Sequence, residues 1–276
     1  VKRKKSTENI FSYQEYVGGL GDAILRMYFS GKVWYELLDV IPPGDRAKIV
    51  LMSHSPGLAE IWKWHPKRDQ IDVIDLGFKT SFHPWENQEW RVAHGIPRET
   101  PCPPYAPSET LTFYPSPNDL ELLYQLRREK FVVLAATAST QEKSIPAEIR
   151  QEMASTALEM GFKVLVVGLR HYFKDGRSND IKIVPGVYDS VDKLSVPGTI
   201  EAIKLSAGVM TAHSASMNMA WSEKKPVFLL YDKVTGDLYL PGGPVGYMQG
   251  MNRPDADHMY FSQYTKNRLR DWLRKR

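Results

Sequence analysis

A short apolar stretch, Ile10 to Val17, runs straight into Gly18-Gly19-Leu20-Gly21-Asp22 and then into a helix-patterned segment, Ala23 to Phe29. Strand, glycine turn and helix in that order form the opening unit of a parallel α/β sheet, because a parallel neighbour can be reached only through a crossover. Lys48 to Met52 and Ile71 to Leu76 read as further strands, with the helix-like Gly57 to Trp64 between them. From Ser81 to Pro117 the texture changes. Pro97, Pro101, Pro103, Pro104, Pro107, Pro115 and Pro117 leave no helical period, so a long loop or linker is expected there, with a short strand at Thr110 to Tyr114. A helix from Asp119 to Lys130 follows.

The α/β rhythm then restarts. The expected strands are Phe131 to Ala136, Lys163 to Val167, Ile181 to Val184, Val209 to Thr211 and Pro226 to Tyr231. The expected helices are Pro146 to Met160, ended by Gly161, then Gly198 to Ala207 and Ser214 to Trp221. Thr265 to Arg276 reads as a basic helix whose Leu269, Trp272 and Leu273 share one apolar face. The fold class is α/β, with two Rossmann-like domains: residues 1–125, carrying the Pro-rich 81–117 segment, and residues 126–276, ending in the basic helix.

No apolar run approaches the length that spans a bilayer, and the basic start, Val1 to Lys5, lacks the apolar continuation of a secretory signal. One cysteine, Cys102, excludes an internal disulfide and fits a reducing compartment, so a cytoplasmic location is expected. The net charge of +4 is unevenly placed: both ends are basic and the body between them is acidic. Such ends suit nucleic acid, a phosphorylated glycan or peripheral contact with an acidic membrane, and equally suit solvated tails.

Ligands of open α/β sheets bind beyond the carboxyl ends of the strands, and three loops stand there. The first is the glycine loop, where Gly18, Gly19 and Gly21 allow close backbone approach. From Gly19 it reads G-x-G-x-x-I, so Ile24 replaces the third glycine of the dinucleotide fingerprint. Asp22 is either a dipole-complementing residue of the first helical turn or a general base. The second loop holds Thr137, Ser139, Thr140 and Lys143, hydroxyls and one cation ahead of a helix, which suit a phosphate or simply a polar helix start. The third is His213, Ser214, Ala215 and Ser216, small residues that leave room for a pyrophosphate, with Ser214 alternatively a plain N-cap. The seven histidines show no zinc-like spacing, and no G-x-S-x-G elbow supports a serine hydrolase.

The three loops together resemble the heptosyltransferase-like glycosyltransferases (glycosyltransferase family 9). The motifs are Gly19-Leu20-Gly21-Asp22, then Ala138-Ser139-Thr140 to Lys143-Ser144-Ile145-Pro146, then Gly198-Thr199-Ile200-Glu201, and last His213 to Ala220. His213, Ala215 and Asn218 depart from that family's Asp, Gly and His. The resemblance implies a GT-B fold, two domains facing across a cleft, with inverting, metal-independent transfer of a sugar. It implies a nucleotide-sugar co-substrate with no other cofactor, and a glycan or lipopolysaccharide-like acceptor. Asp22 would be the base, with Lys143, Thr140 and the backbone at Ser214 to Ser216 on the leaving diphosphate. The basic ends and Trp62, Trp64, Trp85 and Trp90 keep open a transferase acting on modified DNA bases. The glycine turn keeps open an NAD(P)-dependent oxidoreductase, and the departures a non-catalytic nucleotide- or glycan-binding module. Oligomeric state is not legible.

Overall fold

The computed structural model describes residues 10–17, 46–53, 68–75, 115–138, 143–169, 181–232 and 256–276. The expected helices Ala23 to Phe29 and Gly57 to Trp64, and the strand Thr110 to Tyr114, lie outside the described residues, as does most of the Pro-rich segment. The chain divides into two compact units, Val1–Pro101 and Cys102–Arg276.

In the first unit, β1 (Ile10–Val17), β2 (Arg46–Ser53) and β3 (Ile71–Asp75) form a parallel sheet in the order β1-β2-β3. Ile10 pairs with Arg46 and Val17 with Ser53, while Ala47 pairs with Ile71. The glycine loop therefore begins at the carboxyl end of β1, although Gly18, Gly19, Gly21 and Asp22 themselves lie outside the described residues.

The second unit contains α1 (Pro117–Tyr124), β4 (Phe131–Ala135), α2 (Ala147–Glu159), β5 (Lys163–Val166), β6 (Val187–Asp189) and α3 (Val196–Leu205). It continues with β7 (Val209–Ala212), α4 (Ala215–Ser222), β8 (Val227–Tyr231), β9 (Ala256–Tyr260) and α5 (Lys266–Arg274). Its six strands are all parallel and stand in the order β6-β5-β4-β7-β8-β9. Numbered from β4, that is 3-2-1-4-5-6, the doubly wound order. β4, β7 and β8 are buried along their full length, as strands covered on both faces must be.

Three elements differ from the sequence expectation. Ile181 to Val184 is irregular, and the strand starts at Val187 instead. The Lys182 N–H is spent on Gln151 Oε1 at 2.9 Å, Pro185 has no N–H, and the ladder enters at Gly186, whose φ of +94° places it outside the β region. The edge strand β9 carries no apolar run and escaped the reading. The helix expected over Asp119 to Lys130 is α1 followed by a 3-10 turn, Gln125–Arg128. Ser116 caps α1 through a reciprocal box with Asp119, and Pro117 fills the first position, where no N–H is needed. Gly161, at φ +82°, ends α2 as expected.

The core lies between sheet and helices, and α5 closes one side of it. Leu269, Trp272 and Leu273 are buried, the apolar face that the sequence predicts. Trp272 packs on Phe228 with ring centroids 5.6 Å apart, and a Cβ on Gly208 would stand 2.8 Å from its ring. Trp272→Ala is expected to cost about 4 kcal/mol in urea unfolding. Trp272→Phe should cost much less, since the indole N–H has no hydrogen-bond partner to lose. The cations of α5 are largely matched: Lys266 and Arg270 reach Glu159, both at 2.8 Å, Arg268 reaches Asp257 at 2.6 Å, and Arg274 reaches Asp271. The basic tail is thus an ion-paired surface helix. No helix among the described residues is long and apolar enough to cross a membrane.

Candidate functional site at the switch point of the six-stranded sheet

In the doubly wound order the chain leaves β4 in one direction and β7 in the other, so their carboxyl ends border a crevice. Those ends are in register, with Ala135 opposite Thr211. A buried hydroxyl ties them, since Thr211 Oγ1 lies 3.1 Å from the Ala135 carbonyl and 2.8 Å from that of Ala212. The loops leaving this point are the second and third of the sequence reading.

The loop after β4 is pinned at its base. Ile145 N–H donates to the Ala136 carbonyl at 2.9 Å, and Ala138 N–H to Ser144 Oγ at 3.0 Å, with Ile145 buried beneath. Thr137 and Lys143 are half-buried at the two sides of this neck, while Ser139 and Thr140 lie outside the described residues. Ser144, which the sequence leaves as one hydroxyl among several, is a structural acceptor that shapes the loop.

The loop after β7 is only His213 and Ser214 long before α4 begins. Ser214 has extended backbone, φ −149° and ψ 178°, and its side chain makes no capping hydrogen bond. The N–H groups that open a helix have no acceptor within its α ladder; the Ser214 carbonyl takes that of Met217 at 3.1 Å, and the N-cap side chain leaves those of Ala215 and Ser216 uncovered. His213, Ser214, Ala215 and Ser216 are each half-buried, whereas Met217 to Ser222 are buried. The helix therefore presents its positive end at the carboxyl edge of the sheet while its body is fixed in the core. One turn further in, Asn218 is buried with no partner for its Oδ1.

Proton economy assigns the hydroxyls. Thr211 has one proton, and both of its close carbonyls can only accept. The 3.3 Å contact between Thr211 Oγ1 and Ser214 Oγ is then completed by the Ser214 proton. Ser214 is thereby held against the strand end, and the donors facing outward are the backbone N–H groups of Ala215 and Ser216.

The start of α3 is fixed by a node that the sequence does not announce. Asp119 is 1 % exposed and accepts four hydrogen bonds, from N–H and hydroxyl of Ser116 and from N–H and hydroxyl of Ser195. Burial pushes its carboxyl up, but the bonds from Ser195 and Ser116 outweigh it and hold the group below its usual range. Gly198, part of the third motif, is there because a Cβ would fall on the Asp119 carboxylate. At the end of β8, Tyr231 OH meets His258 Nδ1 at 3.1 Å. Burial pushes the phenol up to about 12 and the imidazole down, so the pair is neutral at pH 7. Among the described residues no three His, Cys, Asp or Glu side chains gather to hold a metal.

No family model matches the sequence, and no curated protein matches it. Solved structures do match. ADP-heptose lipopolysaccharide heptosyltransferase II of E. coli superposes with a TM-score of 0.58 at 10% identity, over 95% of this chain and 98% of that one. A family 9 glycosyltransferase from Veillonella parvula gives 0.57 at 14% identity, over 96% and 99%. The dodecameric iron-containing glycosyltransferase TibC of enterotoxigenic E. coli gives 0.52 at 15%, over 90% of this chain but 61% of its own length. The chain thus shares the α/β fold of the heptosyltransferase-like enzymes.

Proposed function

We propose that this chain is a glycosyltransferase that takes a sugar from a nucleoside diphosphate donor and passes it to a hydroxyl of a glycan or lipopolysaccharide-like acceptor. The observation that supports it best is the uncapped start of α4 at the β4–β7 switch point. There, unfilled N–H groups and the helix dipole suit a diphosphate, and Lys143 stands at the neck of the adjoining loop. As the sugar–phosphate bond breaks, negative charge grows on the leaving diphosphate, and fixed donors aimed at it lower the barrier. Thr137 and Lys143 at the neck of the loop after β4, together with His213 to Ser216, are assigned to the donor diphosphate, and Ser139 and Thr140 are assigned with them on sequence alone. Asp22, on the glycine loop after β1, is the base in a single, inverting displacement without a metal. The fold shared with an ADP-heptose-dependent enzyme puts ADP-sugars first among donors to try.

A dinucleotide reading is less well supported. After β1 Ile24 stands in place of the third glycine of the fingerprint, and after β4 the segment Ala136 to Ser144 contains no glycine. The DNA reading loses support as well, because the cations of α5 are largely paired with carboxylates.

Thermal unfolding against ADP, UDP, GDP, CMP, their sugars and NAD(P)H tests the proposal. A ligand at about 100 times its Kd adds roughly 2.7 kcal/mol, and one nucleoside diphosphate is expected to do so. Stabilisation by NAD(P)H alone would overturn it. Asp22→Asn should abolish transfer and keep nucleotide binding. Loss of both would remove Asp22 from its role. Transfer that stops on chelation would remove the metal-free mechanism.

A further inference from the structure

The amino edge of the six-stranded sheet, opposite the switch point, concentrates cations that are not ion-paired among the described residues. Tyr124 to Lys130 leads directly into β4, and the Lys130 carbonyl accepts from Lys163 N–H at the start of β5 at 2.9 Å. α3 ends on the same edge, where Ala207 N–H donates to the Phe131 carbonyl at 2.8 Å and Lys225 Nζ to the Ser206 carbonyl at 2.9 Å. α5 arrives there too, with the Trp272 ring tip against Gly208.

Arg127, Arg128, Lys130, Lys224 and Lys275 are exposed on this edge, and none has a carboxylate partner among the described residues, although Lys130 Nζ lies 4.5 Å from the centre of the Phe162 ring. The acidic groups nearby are mostly matched. Glu159 holds Lys266 and Arg270, Glu223 holds Lys204, and Asp271 holds Arg274, which leaves Glu121 and Glu129 as the exceptions among the described residues. Beside the cations stand exposed apolar side chains: Tyr124 at 67 %, Leu122 at 41 % and Leu205 at 37 %.

We propose that this edge docks on an anionic lipid bilayer. Cations alone would suit any polyanion. The leucines decide between them, because an aliphatic side chain gains nothing from a phosphodiester backbone but is stabilised at the headgroup–acyl boundary, and tyrosine is an interfacial residue. Docked this way, the switch-point loops at the opposite edge face the solution. The proposal does not rest on the glycosyltransferase reading, and vesicle binding is measured independently of nucleotide binding.

The test is co-sedimentation of the full chain with phosphatidylcholine vesicles, with and without about 30 mol% phosphatidylglycerol. The chain should sediment with the anionic vesicles only and be released by salt. Arg127→Ser/Arg128→Ser/Lys224→Ser should weaken binding about a hundredfold, and Leu122→Ser/Tyr124→Ser should weaken it by about tenfold. Unchanged melting temperatures of both variants establish that they fold. Equal binding to neutral vesicles, or an unaffected charge variant, would overturn the proposal. So would absent vesicle binding, and a mobility shift of duplex DNA at low salt would then redirect the surface to nucleic acid.

Discussion

Ala215→Asp should abolish nucleoside diphosphate binding while leaving the protein at least as stable as before. Ala215 is the first residue of α4, half-buried at the open helix start. A carboxylate there would complement the helix dipole and add roughly 0.3–1 kcal/mol to stability. It would also stand where the diphosphate is proposed to lie. Two like charges about 4 Å apart at an effective dielectric near 20 repel by about 4 kcal/mol, close to a thousandfold in affinity. Ala215→Asn, of similar size and uncharged, separates charge from bulk and should cost tenfold or less. Calorimetric titration with ADP and a thermal melt read the two effects apart. If both variants bind as the wild type does, the start of α4 is not the diphosphate site.

The second large effect lies in the fold. Asp119→Ala should lower stability by about 3 kcal/mol, because it strands the hydroxyl and N–H donors of Ser116 and Ser195 and uncouples the starts of α1 and α3. Asp119→Asn should cost less, since the amide can still accept at one atom. A pH signature follows. The folded carboxyl titrates below its usual range, so its contribution is fully present above the unfolded pKa near 4 and fades as pH falls through the folded value. Wild type and Asp119→Ala should therefore draw together in stability as the pH falls below the ordinary carboxylate range. A difference that persists undiminished on acidification would show that packing, not charge, holds this corner.

Why some of this was legible follows from where each residue stands. FVVLA, VFLLY and the VLV of β5 are buried on both faces, and parallel strands of that kind leave unbroken apolar runs. The amphipathic face of α5 shows for the same reason. β9 does not show, because it is an edge strand whose Asp257, His258 and Tyr260 are only half-buried. Ile181 to Val184 misled because an apolar pattern is read without seeing that the Lys182 N–H goes to a side chain of α2 and the Val184 carbonyl to the Val187 N–H. The two loops at the switch point were found from small and hydroxylated residues ahead of helices, a local signal. The bond from Thr211 to the Ala135 carbonyl crosses 76 positions, as does the bond from Ser195 to Asp119. No local pattern records such pairings, so Asp119 looked like an ordinary helix-start acid.

The neck after β4 has a consequence for how such a chain can change. One backbone bond and one serine hydroxyl close it, and both lie outside the tip at residues 139–142. Substitutions at 139–142 therefore leave both of those bonds, and the buried Ile145 beneath them, in place, so the chemistry of the loop and the stability of the sheet are separable by mutation.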